Sequence, residues 1–156
     1  MKRLLILLAF AAIAAAGCAR EAAVAPGEAP STAETTIPAA CALITEEEAS
    51  EALGQPSKFR GVAADDGSNC IIDPVTGDSG ISVDFRITED VSAWQLEAAN
   101  AETISGLGDV AVWNGSAIAA KKGDRYLIAN VSRIGAPAGD LKTPATAFAR
   151  KVVEKM

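Results

Sequence analysis

Two short motifs place residue types that do chemistry at spacings known from enzymes. The first, Gly77-Asp78-Ser79-Gly80, copies the residues around the nucleophile of chymotrypsin-like serine proteases. A nucleophilic serine of that kind uses a histidine as its general base, and the chain contains no histidine. Histidine is also the commonest general base near neutral pH and a leading zinc ligand. We therefore interpret the motif as a polar loop between strands and expect a protein that is not an enzyme.

The second motif, Gly106-Leu107-Gly108-Asp109-Val110-Ala111, has the glycine spacing of a dinucleotide-binding loop. Such a loop follows a strand and opens a helix, whose N-terminus binds the pyrophosphate. Here residues 110–113 have the composition of a strand and lead into a hairpin. We therefore expect the glycines to permit a tight turn or a bulge, and we predict no cofactor.

Oxygen-bearing side chains that could bind calcium crowd one stretch of the chain: Asp65, Asp66, Asn69, Asp73 and Asp78. Their spacing matches no EF-hand loop. Aspartate and asparagine are also the residues that turns prefer. We therefore predict turns in this stretch and no metal site.

Trp94 and Trp113 are candidates for the lining of a pocket that takes an apolar ligand. Aromatic residues at helix and strand positions more often belong to the core. Two functions follow from these alternatives: a protein-interaction module, which we favour, and a carrier or sensor of a small apolar ligand held between sheet and helices. An exposed apolar patch would favour the module, whereas a closed apolar cavity walled by either tryptophan would favour the carrier.

The N-terminus has the pattern of an export signal. Lys2 and Arg3 precede residues 4–16, a run without polar side chains that fits a signal-peptide core and is too short to span a bilayer. The run ends in Ala15-Ala16-Gly17-Cys18, which resembles the lipobox of bacterial lipoproteins, with alanine where the usual leucine stands. The resemblance implies that residues 1–17 are removed and that Cys18 carries a diacylglycerol and an acylated amine, commonly with palmitate.

An ordinary secretory signal is the alternative, because Ala14-Ala15-Ala16 also satisfies the small-residue cleavage pattern. We favour the lipoprotein, which two or three acyl chains would anchor stably to a membrane of the cell envelope. Ala19 is not the aspartate that marks retention in the inner membrane. In a cell with two membranes we therefore expect the outer membrane, with the protein facing the periplasm.

The charge balance argues against nucleic acid as a partner. The chain has 14 basic and 20 acidic side chains and a net charge of −6. Loss of residues 1–17 removes Lys2 and Arg3 and no acid, which lowers the net charge to −8. Such a surface repels phosphate groups. We expect the partners to be the membrane, through the lipid on Cys18, and an envelope protein of unknown identity.

After the signal, the composition divides the chain into a tether and one domain. Residues 18–40 are rich in alanine, proline and threonine and contain no aromatic residue, which predicts a flexible tether. Residues 41–156 have the length of a single domain. Its first helix begins at Thr45, where Thr45-Glu46-Glu47-Glu48 is a capping box, and ends at Gly54. Its last helix is predicted to open with Thr143 as N-cap and Pro144 as first helical residue.

Between these helices the sequence predicts strands and one further helix at residues 90–100, which contains Trp94. Alternation of apolar and polar residues is clearest at positions 81–88. The predicted strands are residues 58–63, 70–73, 81–88, 110–113, 117–121 and 125–132. This pattern indicates an α+β domain in which an antiparallel sheet of about five or six strands has its helices on one face, in the order α-β-β-β-α-β-β-β-α.

Three segments together resemble a group of uncharacterised bacterial lipoproteins, known largely from actinobacteria and described by a domain of unknown function. The segments are Cys41-Ala42-Leu43-Ile44-Thr45 continuing to Ala52-Leu53-Gly54, the second cysteine Cys70, and Gly106-Leu107-Gly108-Asp109-Val110-Ala111-Val112-Trp113. The resemblance covers most of residues 41–153. It implies a small α+β domain with Cys41 paired to Cys70, and it implies no activity.

The cysteine count leads to the same pair. Of three cysteines, the lipobox uses Cys18, and Cys41 and Cys70 remain in an oxidising compartment. The alternatives are two buried free thiols or a soft metal site, and two sulfurs without histidine make a poor metal site. We predict a disulfide between Cys41 and Cys70.

Overall fold

The computed structural model describes residues 40–60, 69–135 and 139–156. They form an α+β domain built on one sheet. The elements are a 3₁₀-helix Cys41–Leu43, α1 Glu46–Leu53, β1 Ser57–Phe59, β2 Asn69–Pro74, β3 Gly80–Thr88, α2 Val91–Ala98, β4 Glu102–Ile104, β5 Val110–Trp113, β6 Ala117–Lys122, β7 Arg125–Ile134 and α3 Lys142–Lys155.

All seven strands belong to one antiparallel sheet in the order β1-β2-β3-β7-β6-β5-β4. The sheet therefore has two edges, β1 at one side and β4 at the other. The long central pair β3 and β7 joins the N-terminal strands to the C-terminal ones, with Val83 opposite Val131.

One face of the sheet carries the main core. Strand residues at every second position, among them Phe85, Leu127 and Ile118, are buried there together with the apolar side of α3. The rings of Phe85 and Phe148 meet edge to face with centroids 5.2 Å apart. α1 packs beside α3 on this face and against β1.

The opposite face carries a smaller cluster. Val112, Ala119 and Ile128 are buried there, and α2 covers them with the half-buried side chains of Trp94 and Ala98. α2 itself contains no fully buried residue. Its Leu96 side chain is 79% exposed.

The α+β class and the antiparallel sheet are confirmed, but two details of the predicted architecture are wrong. The sheet has seven strands and not five or six, because β4 lies between α2 and β5 where no strand was predicted. The helices are not on one face, since α2 crosses to the side opposite α1 and α3. Alternating strand residues are apolar on both faces at β5–β7, and this second apolar surface is what α2 covers.

The predicted start of the first helix is confirmed. The Thr45 side chain accepts a hydrogen bond from the Glu48 N–H, the Glu48 carboxylate accepts one from the Thr45 N–H, and Gly54 ends the helix at φ 65°. The last helix begins earlier than predicted, at Lys142, and Pro144 is its third residue. The Asp140 carboxylate, and not Thr143, accepts hydrogen bonds from the first amides.

Of the predicted tether, residues 18–40, the structure describes only Ala40. Ala40, which the sequence assigned to the tether, is buried in the main core, so the domain includes at least this residue.

The predicted strand at residues 58–63 is confirmed only at residues 58 and 59, and residues 61–63 lie outside the described part. Within residues 40–60, 69–135 and 139–156, no helix has the length and apolar character needed to cross a bilayer.

Candidate functional site

Cys41 and Cys70 are joined by a disulfide, as predicted. Their Cα atoms lie 5.2 Å apart, and both residues are buried. Cys41 opens the 3₁₀-helix that leads into α1, whereas Cys70 lies in β2. The bridge therefore ties the beginning of the domain to the second strand. Cys18, the predicted lipid site, lies outside the described residues.

Gly77, Asp78 and Ser79 lie in the exposed turn that joins β2 to β3, and Gly80 is the first residue of β3. The Thr76 hydroxyl donates a hydrogen bond to the Ser79 carbonyl oxygen at 3.4 Å. The interpretation of this motif as a polar loop between strands is confirmed.

Residues 106–109 form the turn that joins β4 to β5, so the interpretation of this glycine motif as a turn is also confirmed. Gly108 has φ 61°, and a Cβ atom there would collide with the carbonyl oxygen of Lys121. That carbonyl accepts a hydrogen bond from the Asp109 N–H at 2.7 Å. The close approach of two backbones requires the glycine.

Of the candidate calcium ligands, only Asn69, Asp73 and Asp78 lie within the described residues, and these three do not form a metal site there. Asp65 and Asp66 lie outside the described residues. Asn69 begins β2, whereas Asp78 lies in the turn after the other end of that strand. Asp73 accepts a 2.6 Å hydrogen bond from the Ser82 hydroxyl and forms a 2.6 Å ion pair with Arg60. In the described ranges, no three His, Cys, Asp or Glu side chains come together as a metal site would require.

The two tryptophans lie on opposite faces of the sheet, so a pocket lined by both does not form. Trp113 belongs to the main core, on the face of the sheet that carries α3. Trp94, on α2, stacks on Tyr126 with ring centroids 5.9 Å apart and planes tilted by 33°. The sequence could not reveal this separation, because it depends on which face α2 covers.

Two surface grooves flank the outer side of α3. The α3–β4 groove, about 490 Å³ in volume, is lined by Ile104 and by helix residues that include Lys142, Thr146 and Arg150. The α3–turn groove, about 470 Å³ in volume, is lined by the turn at Gly106 to Asp109 and by Lys122, Arg150, Val153 and Glu154. Arg150 lines both grooves, so they adjoin along the helix. Neither groove is lined by a tryptophan.

The charges around these grooves are mostly paired. Lys142 forms a 2.7 Å ion pair with Glu102 on β4. The Lys122 ammonium donates to the carbonyl oxygens of Val153 and Glu154 at the C-terminus of α3, where a cation is favourable. Among the described residues, no hydrogen bond or ion pair engages Arg150.

On its other side, α3 is linked to α1 by two ion pairs, Lys151 with Glu51 at 2.9 Å and Lys155 with Glu48 at 2.6 Å. The hydrogen bond from Lys155 and the backbone hydrogen bond from Thr45 lower the pKa of Glu48 to about 2. The hydrogen bond to Glu51 raises the pKa of Lys151. These pairs fix α3 beside α1 and leave its opposite side, with the grooves, facing solvent.

No family model, curated protein or solved structure matches the chain.

The two edges of the sheet differ in their hydrogen bonding. Along β1, the Ser57 N–H donates to the Ser50 hydroxyl at 2.9 Å and the Phe59 N–H donates to the Glu46 carboxylate at 2.8 Å. Both acceptors are side chains of α1. We call this side the closed edge. Along β4, no hydrogen bond within the described residues reaches the outer side of the strand, and we call this side the open edge.

Sequence reasoning missed the open edge and the basic residues beside it. A signal was present, because the β-branched Thr103 and Ile104 stand directly before the glycine turn. The run is only three residues long, too short for alternation to predict a strand. Lys142 and Arg150 are ordinary surface residues of a helix in the sequence, and only the fold places them beside β4.

Proposed function

We propose that the protein is an envelope lipoprotein, held to a membrane by lipid on Cys18, and that its folded part is a non-catalytic module that binds another protein. The grooves along α3 are the observation that carries the second half of this proposal. Their walls present charged and hydroxyl groups, such as Lys142, Thr146 and Arg150. Such walls suit contact with a polypeptide better than enclosure of an apolar ligand.

The disulfide supports the first part of the proposal, that the protein is exported from the cytosol. Bridges of this kind persist in oxidising compartments outside the cytosol. The bridge uses two of the three cysteines, and the third is the one in the lipobox pattern. Membership in the group of uncharacterised actinobacterial lipoproteins, and outer-membrane attachment in a cell with two membranes, belong to the same proposal.

Exposed apolar side chains also favour a binding module. Val91 and Leu96 on α2 are exposed, and so is Val110 on β5, the strand beneath that helix. A carrier of an apolar ligand would need its apolar side chains around a cavity. Trp94 and Trp113 are instead packed on opposite faces of the sheet.

Membrane attachment is tested by fractionating cells that express Cys18→Ala. We expect this variant in the soluble fraction and the parent protein in the membrane fraction, with its mass increased by the lipid. Ser31→Ala, in the predicted tether, is the matched control and should remain with the membrane. A parent protein that is soluble and has an unmodified Cys18 thiol would contradict the anchor.

Protein binding is tested by placing a photo-crosslinking amino acid at Ala147, which lines the α3–β4 groove. Lys58, exposed on β1, is the control position. We expect covalent protein adducts from Ala147 in intact cells, identified by mass spectrometry. Lipid adducts alone, at both positions, would contradict a protein-interaction module.

A further inference from the structure

The open edge can be defined to the level of individual amides. In the β5–β6 hairpin the Asn114 N–H donates to the Ala117 carbonyl oxygen at 3.1 Å. Hydrogen-bonded positions alternate along an antiparallel strand. Val112 therefore directs its N–H and C=O towards β6, and its neighbours Ala111 and Trp113 direct theirs towards β4.

On β4, the residues paired with these two neighbours are Ile104 and Glu102. They use their inward N–H and C=O groups in the β4–β5 ladder. Thr103, between them, directs its N–H and C=O away from the sheet. Its side chain is exposed, and within the described residues its outward groups have no hydrogen-bond partner. An unpaired strand edge of this kind is a template for another extended chain.

Basic residues flank this edge on the face that carries α3. Glu102 and Ile104 share that face, because they are opposite Trp113 and Ala111 of the main core. The α3–β4 groove begins at Ile104 and is bounded by Lys142 and Arg150. A strand added to β4 would direct every second side chain to this face, where Lys142 is paired with Glu102 and Arg150 has no partner among the described residues.

We propose that β4 and the α3–β4 groove bind an extended acidic segment of a partner protein, which adds to the sheet as an eighth strand. Backbone groups of the segment bond to Thr103, and its carboxylates face Lys142 and Arg150. Main-chain pairing of this type supplies affinity, and alternate side chains supply specificity. The proposal rests on the proposed function, because it names the surface and the chemistry of the partner.

The charge beside the open edge favours an acidic occupant. The chain as a whole is acidic, with a net charge of −6, but the cationic side chains of Lys142 and Arg150 line the α3–β4 groove. Arg150 is a guanidinium without an acceptor in the described part of the chain, and such a group forms bidentate bonds with carboxylates. Glu154 lines the adjoining groove and is not among the residues that line the α3–β4 groove, so the acidic side chains of the segment belong in the α3–β4 groove.

The test uses the protein as cells export it, purified in detergent, and a fluorescent peptide of alternating glutamate and valine. We expect this peptide to bind at least about tenfold more tightly than a lysine–valine peptide, a difference of about 1.4 kcal/mol. A glutamate–valine peptide with methylated backbone nitrogens should lose binding by a similar factor, because it cannot donate to the open edge. Hydrogen exchange at Glu102–Ile104 should slow when the parent peptide is bound.

Two variants locate the contact. Arg150→Glu should weaken binding of the glutamate peptide roughly tenfold or more, as expected for loss of a charge-assisted bond. Arg125→Glu, an equal charge change in the β6–β7 hairpin, is the control and should leave binding unchanged. Thr103→Pro removes the outward N–H without breaking a bond of the free domain, and it should also abolish binding. Circular dichroism checks that the Thr103→Pro variant folds. If it does not fold, binding of the backbone-methylated peptide to the unaltered protein tests the same hydrogen bond.

The proposal is overturned if the methylated or lysine peptide binds as well as the parent peptide, if none binds, or if Arg150→Glu binds like the unaltered protein. A dimer that Thr103→Pro dissociates would assign the edge to a second copy. Slowed exchange at Glu102–Ile104 in phosphatidylglycerol vesicles without peptide would assign it to the membrane. Protein crosslinks from Ala147 that persist in Arg150→Glu would overturn this site and leave the interaction module intact.

Discussion

The closed edge and the open edge of the sheet are both strands of three residues, yet only one offers its amides to a partner. At β1, Ser50 and Glu46 accept hydrogen bonds from the outward N–H groups. α1 immediately precedes β1 and packs beside it, so its side chains reach that edge. α2 immediately precedes β4 but covers the opposite face over β5–β7, and no side chain of α2 bonds to the edge. The path of the preceding helix thus decides whether an edge is closed.

The largest expected effect comes from removing the disulfide, which anchors the closed side of the domain. The double variant Cys41→Ala with Cys70→Ala should lose about 3–4 kcal/mol of unfolding free energy, since the bridge closes a loop of about 30 residues. Urea unfolding measures the loss, and reduction of the unaltered protein should reproduce it. Equal stability of variant and parent would show that the bridge does not hold this side together.

The next effect tests whether α1 really closes the β1 edge. Ser50→Ala should cost about 1–2 kcal/mol, because the partly buried Ser57 N–H loses its acceptor. Glu46→Ala should cost less, about 0.5–1.5 kcal/mol, and both together should promote self-association through β1. Glu47→Ala, an exposed neighbour on α1, is the control. Unchanged stability and a monomeric double variant would break the distinction between the edges.

A pH effect comes from Glu48, which joins α1 to α3 on the closed side. Its pKa is about 2 in the folded protein and 4.5 in the absence of its partners. The charged form is therefore favoured by folding, so the stabilisation is present above pH 4.5 and is lost as the pH falls towards 2. Glu48→Gln should flatten this part of the dependence of Tm on pH. Identical slopes in both proteins would contradict the link.

The smallest effect is expected at the open edge. Glu102→Ala breaks the exposed ion pair with Lys142 and should change the unfolding free energy by about 0.5 kcal/mol or less. The comparison variant is Glu46→Ala on the closed edge, which should cost more. A loss at Glu102 larger than that at Glu46 would mean that the β4 side depends on its surface contacts for stability.

Local sequence patterns were sufficient to predict helix ends and turns where the contacts that form them are close in sequence. The Thr45 capping box, the Gly54 stop and the hairpin that follows residues 110–113 depend on residues close in sequence, and each lies where predicted. The predicted start of α3 was wrong because Thr143 was taken as the N-cap, whereas the Asp140 carboxylate accepts hydrogen bonds from the Lys142 and Thr143 amides and the helix begins at Lys142. The strand β4 was missed because its three residues become a strand only by pairing with β5.

The sequence by itself determined the class of the domain, most of its strands and the cysteine pair, because these depend on periodicity, turn chemistry and counting. Tertiary structure alone decided that α2 crosses to the second face, which separated Trp94 from Trp113. It also decided that Arg150 lines the same groove as Ile104, although 46 positions separate them in the chain. The physical reason is that strand order and helix packing bring together residues that are distant in sequence. Both depend on many long-range contacts, which local sequence patterns do not predict.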